Sequence, residues 1–252
     1  MTRYFIEFSY DGSNYHGIQK QLNSLTIQEI LETNISKYTG LAVTLTLAGR
    51  TDAGVHAKQM FAHFDIDLDF DQNNFCRSLN MMIPMDICIE CLYLVTKESH
   101  ARFDALSRTY KYYIVSKKDP FNYSFLYTLK AKLDIDKMNK CCLKLIKHKN
   151  FKCFSKSNTD VKTYDCNVKI AEWEVIKNGY SFKITANRFL RNMVRSIVGT
   201  MIEVGTYKIN DDDFQKILDS QDRSKAGYSV PASGLFLTEI NYKNIFKKSW
   251  RK

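Results

Sequence analysis

Twice along this chain a strand-like alternation gives way to helical spacing and then returns to strands, and that order restricts the folds open to it. The opening run Tyr4-Phe5-Ile6-Glu7-Phe8-Ser9-Tyr10 reads as a strand closed by the turn signal Asp11-Gly12. Thr26 and Glu29 have capping-box spacing, and Ile27, Ile30, Leu31 and Ile35 mark one face of a helix ending near Gly40. Strands are predicted over residues 43–47, 59–65 and 86–95, with a short helix over 73–79. The second half repeats the order, with a strand over 108–116 and a helix over 136–149. A hairpin then turns at Asn178-Gly179, followed by a helix over 191–205 and a closing strand over 235–242. No long crossover joins parallel strands. The expected fold is therefore α+β, with two similar halves forming a mainly antiparallel sheet, helices on one face and a cleft at their junction. The expected division is residues 1–105 and 106–252.

At 252 residues, 44% hydrophobic and 13% aromatic, the chain can bury a real core without staples. Three prolines and ten glycines argue against long flexible linkers. No apolar run is long enough to cross a bilayer, and Met1 leads straight into strand alternation, which points to a soluble, cytoplasmic protein. Lys plus Arg is 37 against 27 for Asp plus Glu, a surplus of ten that suits a polyanionic partner. A generally lysine-rich composition gives the same number. Seven cysteines, an odd count without export signals, are expected to be free thiols. The CxxC of Cys88 and Cys91 lies in a predicted strand, where residues three apart point to opposite faces. These are expected to be packed thiols and not a metal or redox pair.

Two clusters carry candidate chemistry. In Gly49-Arg50-Thr51-Asp52-Ala53-Gly54-Val55-His56-Ala57, two glycines bracket a short loop presenting one cation and one anion. Equally, Asp52 in such a loop can cap a turn with Arg50 as its ion-pair partner. In the 186–199 segment, Phe189, Met193, Ile197 and Met201 repeat every four residues as a core stripe. Arg188, Arg191 and Arg195 share another stripe of the predicted helix. Three like charges there favour an anion, such as phosphate or a buried carboxylate, over a solvated basic face.

The Gly49–Ala57 loop resembles the active-site loop of the TruA family of tRNA pseudouridine synthases, and the resemblance covers nearly the whole chain. Tyr10-Asp11-Gly12-Ser13-Asn14-Tyr15-His16-Gly17-Ile18-Gln19-Lys20-Gln21 is similar to the family's opening motif, with Ile18 standing where the family usually has Trp. Leu79-Asn80-Met81-Met82-Ile83-Pro84, His100-Ala101-Arg102-Phe103 with Arg108-Thr109-Tyr110-Lys111-Tyr112, Met193-Val194-Arg195-Ser196-Ile197-Val198-Gly199, and Ala232-Ser233-Gly234-Leu235 follow in the family's order. Lys162-Thr163 departs from a family Arg-Thr pattern. The resemblance implies isomerisation of uridine to pseudouridine at positions 38, 39 and 40 of the tRNA anticodon stem-loop, by a homodimer and without cofactor or metal. It implies that Asp52 is the catalytic carboxylate, that Arg195 keeps it charged and oriented, and that Tyr110 stacks on the substrate base. Arg50 then suits the RNA and fills the space of the expelled uridine, while Arg188 and Arg191 suit phosphate. Lysines of the 136–149 helix and the tail Lys247-Lys248-Ser249-Trp250-Arg251-Lys252 are candidates for tracking the backbone.

Two other classes fit parts of the pattern. Asp52, His56, His63 and Asp65 are metal-ligand types close in sequence, as a metal-dependent hydrolase would need, though Gly54 disfavours the helix that would align the first two. A non-catalytic tRNA-binding relative would keep the fold and bind without turnover.

Overall fold

The computed structural model describes residues 1–157 and 161–243, so the basic tail 247–252 lies outside the described residues. The chain forms two compact units, Met1–Leu106 together with the segment from Leu237, and Ser107–Phe236. The first unit therefore regains the chain's closing segment, which the linear order had grouped with the second half.

In the first unit the elements are β1 (Thr2–Tyr10), α1 (Ile27–Thr39), β2 (Thr46–Leu47), β3 (His56–Ile66), α2 (Gln72–Met82) and β4 (Ile87–Val95). β1 pairs antiparallel with both β3 and β4, and the two-residue β2 adds to β3. β1 and β3 bury apolar side chains on both faces, which is why Tyr4, Phe5, Ile6 and Phe8 read as an almost unbroken run. One face takes the helices. Phe64 lies 6.3 Å from Phe75 of α2, and Tyr38 of α1 meets the same ring edge-on at 5.4 Å. On the other face Phe5 and Phe61 pack against Tyr242 of β9 (Leu235–Tyr242) at 5.7 and 5.3 Å.

The second unit holds β5 (Ala105–Val115), β6 (Tyr127–Thr128), α3 (Ile135–Lys147), β7 (Val168–Ile176), β8 (Gly179–Ala186), α4 (Met193–Gly205) and α5 (Asp211–Ser220). β8 pairs antiparallel with β5 and β7, and β6 pairs parallel with the end of β5. The hairpin turns where expected, with Asn178 at φ 68°. A Cβ on Gly179 would stand 2.0 Å from the Ile114 carbonyl, so only glycine fits beside β5. Trp173 stacks on Phe182 at 4.9 Å and its indole N–H reaches Met201 Sδ of α4 at 3.1 Å, seating that helix on the sheet. Both units are thus mainly antiparallel sheets with helices packed on one face, an α+β fold.

Three details depart from the sequence reading. α4 starts at Met193 and not Arg191, because Asn192 adopts left-handed backbone at φ 66°. Arg188 and Arg191 are therefore off the helix, the three-arginine stripe does not exist, and Phe189 is half-buried beside Tyr110 instead of in a core stripe. α5 was not anticipated, although Asn210 and Asp213 form a complete capping box at its start. In β4, Ile89 faces Phe8 and Cys91 faces Glu7, so Glu90 is an extra bulged residue. The bulge brings Cys88 and Cys91 to the same face instead of opposite ones, and Cys88 is exposed, not packed. All seven cysteines are free; burial holds the Cys141 and Cys153 thiols up at about 12. Among the described residues no helix is long and apolar enough to cross a membrane.

Candidate active site

The loop that follows β2 is framed almost entirely by the segment that follows β1. Thr51 is buried, and its hydroxyl shares a 2.7 Å hydrogen bond with Tyr10 Oη. The Thr51 carbonyl accepts from the Ile18 N–H at 3.4 Å, and the Gly54 N–H donates to the Tyr15 carbonyl at 3.4 Å. Between these anchors Val55 N–H closes a turn onto the Asp52 carbonyl at 3.2 Å, with Gly54 at φ 75°. The outcome is a half-buried Asp52 at the tip of a turn whose flanks, Thr51 and Val55 to Ala57, are buried. Arg50 beside it is exposed.

The frame depends on two glycines. A Cβ at Gly12 would stand 2.0 Å from the Val55 carbonyl oxygen, and one at Gly17 would stand 2.8 Å from that of Thr51. Gly17 also has φ 92°, which other residues rarely adopt. The motif around Gly12 and Gly17 is thus the surface against which the Asp52 loop is moulded. Ile18 is fully buried, so the departure from Trp is a change of packing. Tyr15 donates to Asp86, which also accepts from Asn14 Nδ2 at 3.1 Å and so ties this frame to the start of β4. Burial first, then the Asp86 carboxylate, pushes the Tyr15 hydroxyl well above its usual value.

His56 is buried against the same corner, with Nδ1 3.1 Å from the Gly12 N–H and 2.9 Å from Asp11 Oδ1. One ring nitrogen cannot accept from the first and donate to the second. The Gly12 N–H is aimed at Nδ1, which accepts it, and Asp11 Oδ1 lies close beside the same ring nitrogen. The other ligand types weighed from sequence are committed elsewhere. Asp65 takes a bidentate pair of 2.7 Å bonds from Arg3, which lowers its pKa, and His63 Nδ1 accepts the Ala101 N–H at 3.1 Å. Among the described residues no three His, Cys, Asp or Glu side chains are grouped as a metal site.

In the second unit, Tyr110 lies on β5 opposite Ile184, half-buried, with its ring edge-on to Phe189 at 5.1 Å. Arg188 and Phe189 belong to the irregular segment between β8 and α4. Asn187 anchors that segment, its side chain accepting the Arg188 and Asn167 N–H groups and its carbonyl accepting Arg108. Arg191 is exposed, and its carbonyl accepts the Lys156 N–H at 3.0 Å. Arg195, half-buried in the first turn of α4, donates from Nε to the Val230 carbonyl at 2.7 Å. The structure therefore gathers Tyr110 with the 187–189 segment but separates Arg188 and Arg191 from the helical face that carries Arg195. On α3, Lys140 and Lys147 are exposed as expected. Lys144 is turned onto the carbonyl and carboxylate of Asp211, and Lys137 lies over the Tyr207 ring at 4.1 Å. From sequence His56 was weighed only as a metal-ligand type, and Tyr10, Gly12 and Gly17 entered only as members of the opening strand, turn and motif; their part in framing the Asp52 loop was not read.

Known proteins match the chain closely. The profile of the family described as tRNA pseudouridine synthase matches residues 143–243. A Parabacteroides distasonis protein named tRNA pseudouridine synthase A is 45% identical over 243 residues, covering 96% of each chain. One of the same name from Bacteroides fragilis is 46% identical over 244 residues, covering 96% of this chain and 97% of its own. Another from Limosilactobacillus reuteri is 36% identical over 251 residues, again covering 96% and 97%. With identity at this level over nearly the whole length, the chain belongs to the tRNA pseudouridine synthase A family.

Proposed function

We propose that the chain converts uridine to pseudouridine at positions 38, 39 and 40 of the tRNA anticodon stem-loop, with Asp52 as the catalytic carboxylate. The observation that carries this reading is the presentation of Asp52: a side chain at a turn tip whose backbone is braced on both flanks while the carboxylate stays half-exposed. The reaction breaks the bond from C1′ to N1, turns the uracil and joins C1′ to C5. C5 gives up its proton and N1 gains one, so no redox partner enters the balance. A carboxylate serves this sequence either as nucleophile or as base toward the ribose, and both roles need it ionised.

RNA phosphates favour protonation of a nearby carboxylate, so the reading needs a cation beside Asp52. Arg195, a fixed planar donor, is assigned that role. Tyr110 stacks on the detached uracil at about 1–3 kcal/mol. Arg50, exposed next to Asp52, enters the space the flipped uridine leaves. Arg188 and Arg191 contact phosphate individually, not as a helical row. The enzyme is proposed to act in the cytoplasm as a homodimer, which sedimentation at micromolar concentration tests directly.

The deciding experiment incubates unmodified tRNA transcripts with the protein, without added metal or cofactor, and maps pseudouridine for the parent and for Asp52→Asn. The variant is expected to bind tRNA and form no product. Isomerisation by Asp52→Asn at the parent rate refutes the assignment; binding without turnover by the parent itself establishes a non-catalytic relative.

A further inference from the structure

Arg195 is held by a backbone oxygen that belongs to no helix or strand. Its Nε donates to the Val230 carbonyl at 2.7 Å, and the Val230 N–H donates back to the Arg195 carbonyl at 3.2 Å. A hydrogen bond at Nε fixes the plane of a guanidinium, because the whole group is rigid. The position of the Val230 carbonyl therefore helps to set the aim of the Arg195 fork.

Residues 226–231, which carry Val230, are irregular backbone laid along α4. Two contacts on the helix side accept this strap. Gly199 lets it approach, since a Cβ there would stand 1.8 Å from the Tyr228 carbonyl oxygen, and Thr200 Oγ1 accepts the Gly227 N–H at 2.9 Å. Asn192 Nδ2 donates to Ser229 Oγ at 2.6 Å, and Tyr112 Oη donates to the Pro231 carbonyl at 2.8 Å. The carbonyls at the start of the strap, of Ala226 and Gly227, still need donors, and Arg223 supplies them. Arg223 Nη1 reaches the Ala226 carbonyl at 3.2 Å and the Gly227 carbonyl at 3.1 Å, while its Nη2 reaches Ser229 Oγ at 3.0 Å. These are charge-assisted bonds from a half-buried planar fork, spent on main chain and one hydroxyl.

We propose that Arg223 is a positioning residue for isomerisation: it clamps the 226–229 strap so that the Val230 carbonyl holds Arg195 in its working orientation. The proposal rests on the assignment of Arg195 to the reaction. The order of action is Arg223, the strap, the Val230 carbonyl and the Arg195 guanidinium, and Arg223 itself touches neither RNA nor the reacting atoms. Lysine cannot replace it, because one ammonium does not span two carbonyls and a hydroxyl in a fixed plane.

The test measures kcat and KM for pseudouridine formation on tRNA transcripts for Arg223→Gln, Arg223→Lys and Ser229→Ala, with thermal denaturation of each. Arg223→Gln is expected to lower kcat about tenfold to a hundredfold, as a misplaced catalytic group does, with KM within about twofold of the parent. Arg223→Lys is expected to recover little of that loss. The readout that a purely structural arginine would not move is coupling. In an Arg195→Lys background, where no Nε remains to meet Val230, adding Arg223→Gln should leave the single-turnover rate unchanged. Amide exchange at Val230 should quicken in Arg223→Gln. Should that variant fail to fold, Ser229→Ala, which removes one bond from Arg223 and one from Asn192, carries the same comparison. The proposal is overturned if folded Arg223→Gln retains the parent kcat, or if its loss multiplies undiminished onto Arg195→Lys. Parent-like turnover by Arg195→Lys would instead remove the underlying role of Arg195, a different failure read from a different variant.

Discussion

Gly12 and Gly40 show why the same residue type carries different weight at different positions. A side-chain carbon at Gly12 collides with the Val55 carbonyl at 2.0 Å, so the backbone three residues beyond Asp52 must retreat by about 1 Å. Gly40 ends α1 at φ 71° with nothing within 4 Å, so alanine there meets strain alone. Gly12→Ala is expected to cut isomerisation about a hundredfold. Gly40→Ala should cost about 1 kcal/mol of stability and leave turnover intact. Thermal denaturation beside the pseudouridine assay separates the two.

His63 makes a second residue-scale prediction. It is buried, and burial first, then the Arg3 and His100 charges, lowers its pKa to about 4, so it is neutral in the fold. Protonation would set an N–H against the Ala101 N–H that now donates to Nδ1. The unfolded chain takes up this proton near its ordinary value of 6.5 while the fold resists it to about 4. Its contribution to stability is therefore complete above about pH 6.5 and is lost as pH falls toward 4, at no more than about 1.4 kcal/mol per unit. His63→Asn keeps an acceptor without the titration. Denaturant melts at pH 7 and pH 4.5 should show a smaller acid loss for this variant than for the parent; equal losses would refute the prediction. Asp52, Arg195 and Tyr110 were legible as motif residues. The framing roles of Tyr10 and His56, and Arg223 altogether, were not, because their significance is a distance to a residue remote in sequence.

At the scale of elements, local signals worked where local physics decides. The β7–β8 hairpin was readable because Asn178 and Gly179 suit the positive φ and close approach the turn needs. α4 was begun two residues early because apolar periodicity runs through Asn192, whose left-handed φ breaks the helix without a glycine or proline to announce it. The Glu90 bulge reversed the expected faces of Cys88 and Cys91, since one extra residue shifts the parity of everything after it. β7 carries the element-scale prediction. Asn139 of α3 both donates to the Trp173 carbonyl and accepts the Trp173 N–H, at 3.1 and 2.8 Å, occupying main-chain groups of a strand that, among the described residues, pairs only with β8. Asn139→Ala should lose about 1–3 kcal/mol by orphaning both groups. It should also raise light scattering on warming, as an uncovered strand edge promotes association.

For the molecule as a whole, the surplus of ten positive charges predicts that tRNA affinity falls steeply with salt, about 0.7–0.9 decades per decade for each phosphate engaged. Not every lysine should contribute. Lys144 is spent on Asp211, whereas Lys140 and Lys147 on the same helix are exposed. Removing either exposed lysine should flatten the salt dependence of binding, while Lys144→Ala should lower thermal stability and leave the slope unchanged. A parent affinity indifferent to salt would refute the electrostatic reading. The α+β class was recoverable from the order of elements, but the return of the closing segment to the first unit was not. Ile240 donates to Gln59 across 181 positions, and no periodicity in either segment specifies that partner.

The moulding of Val55 and Thr51 against Gly12 and Gly17 makes the nine residues around Asp52 a poor cassette. Grafted alone onto another scaffold they would lose the partner that gives them shape, and a chimaera would have to import residues 10–21 as well. Substitutions tolerated in one stretch therefore depend on what occupies the other, so the two must diverge as a pair.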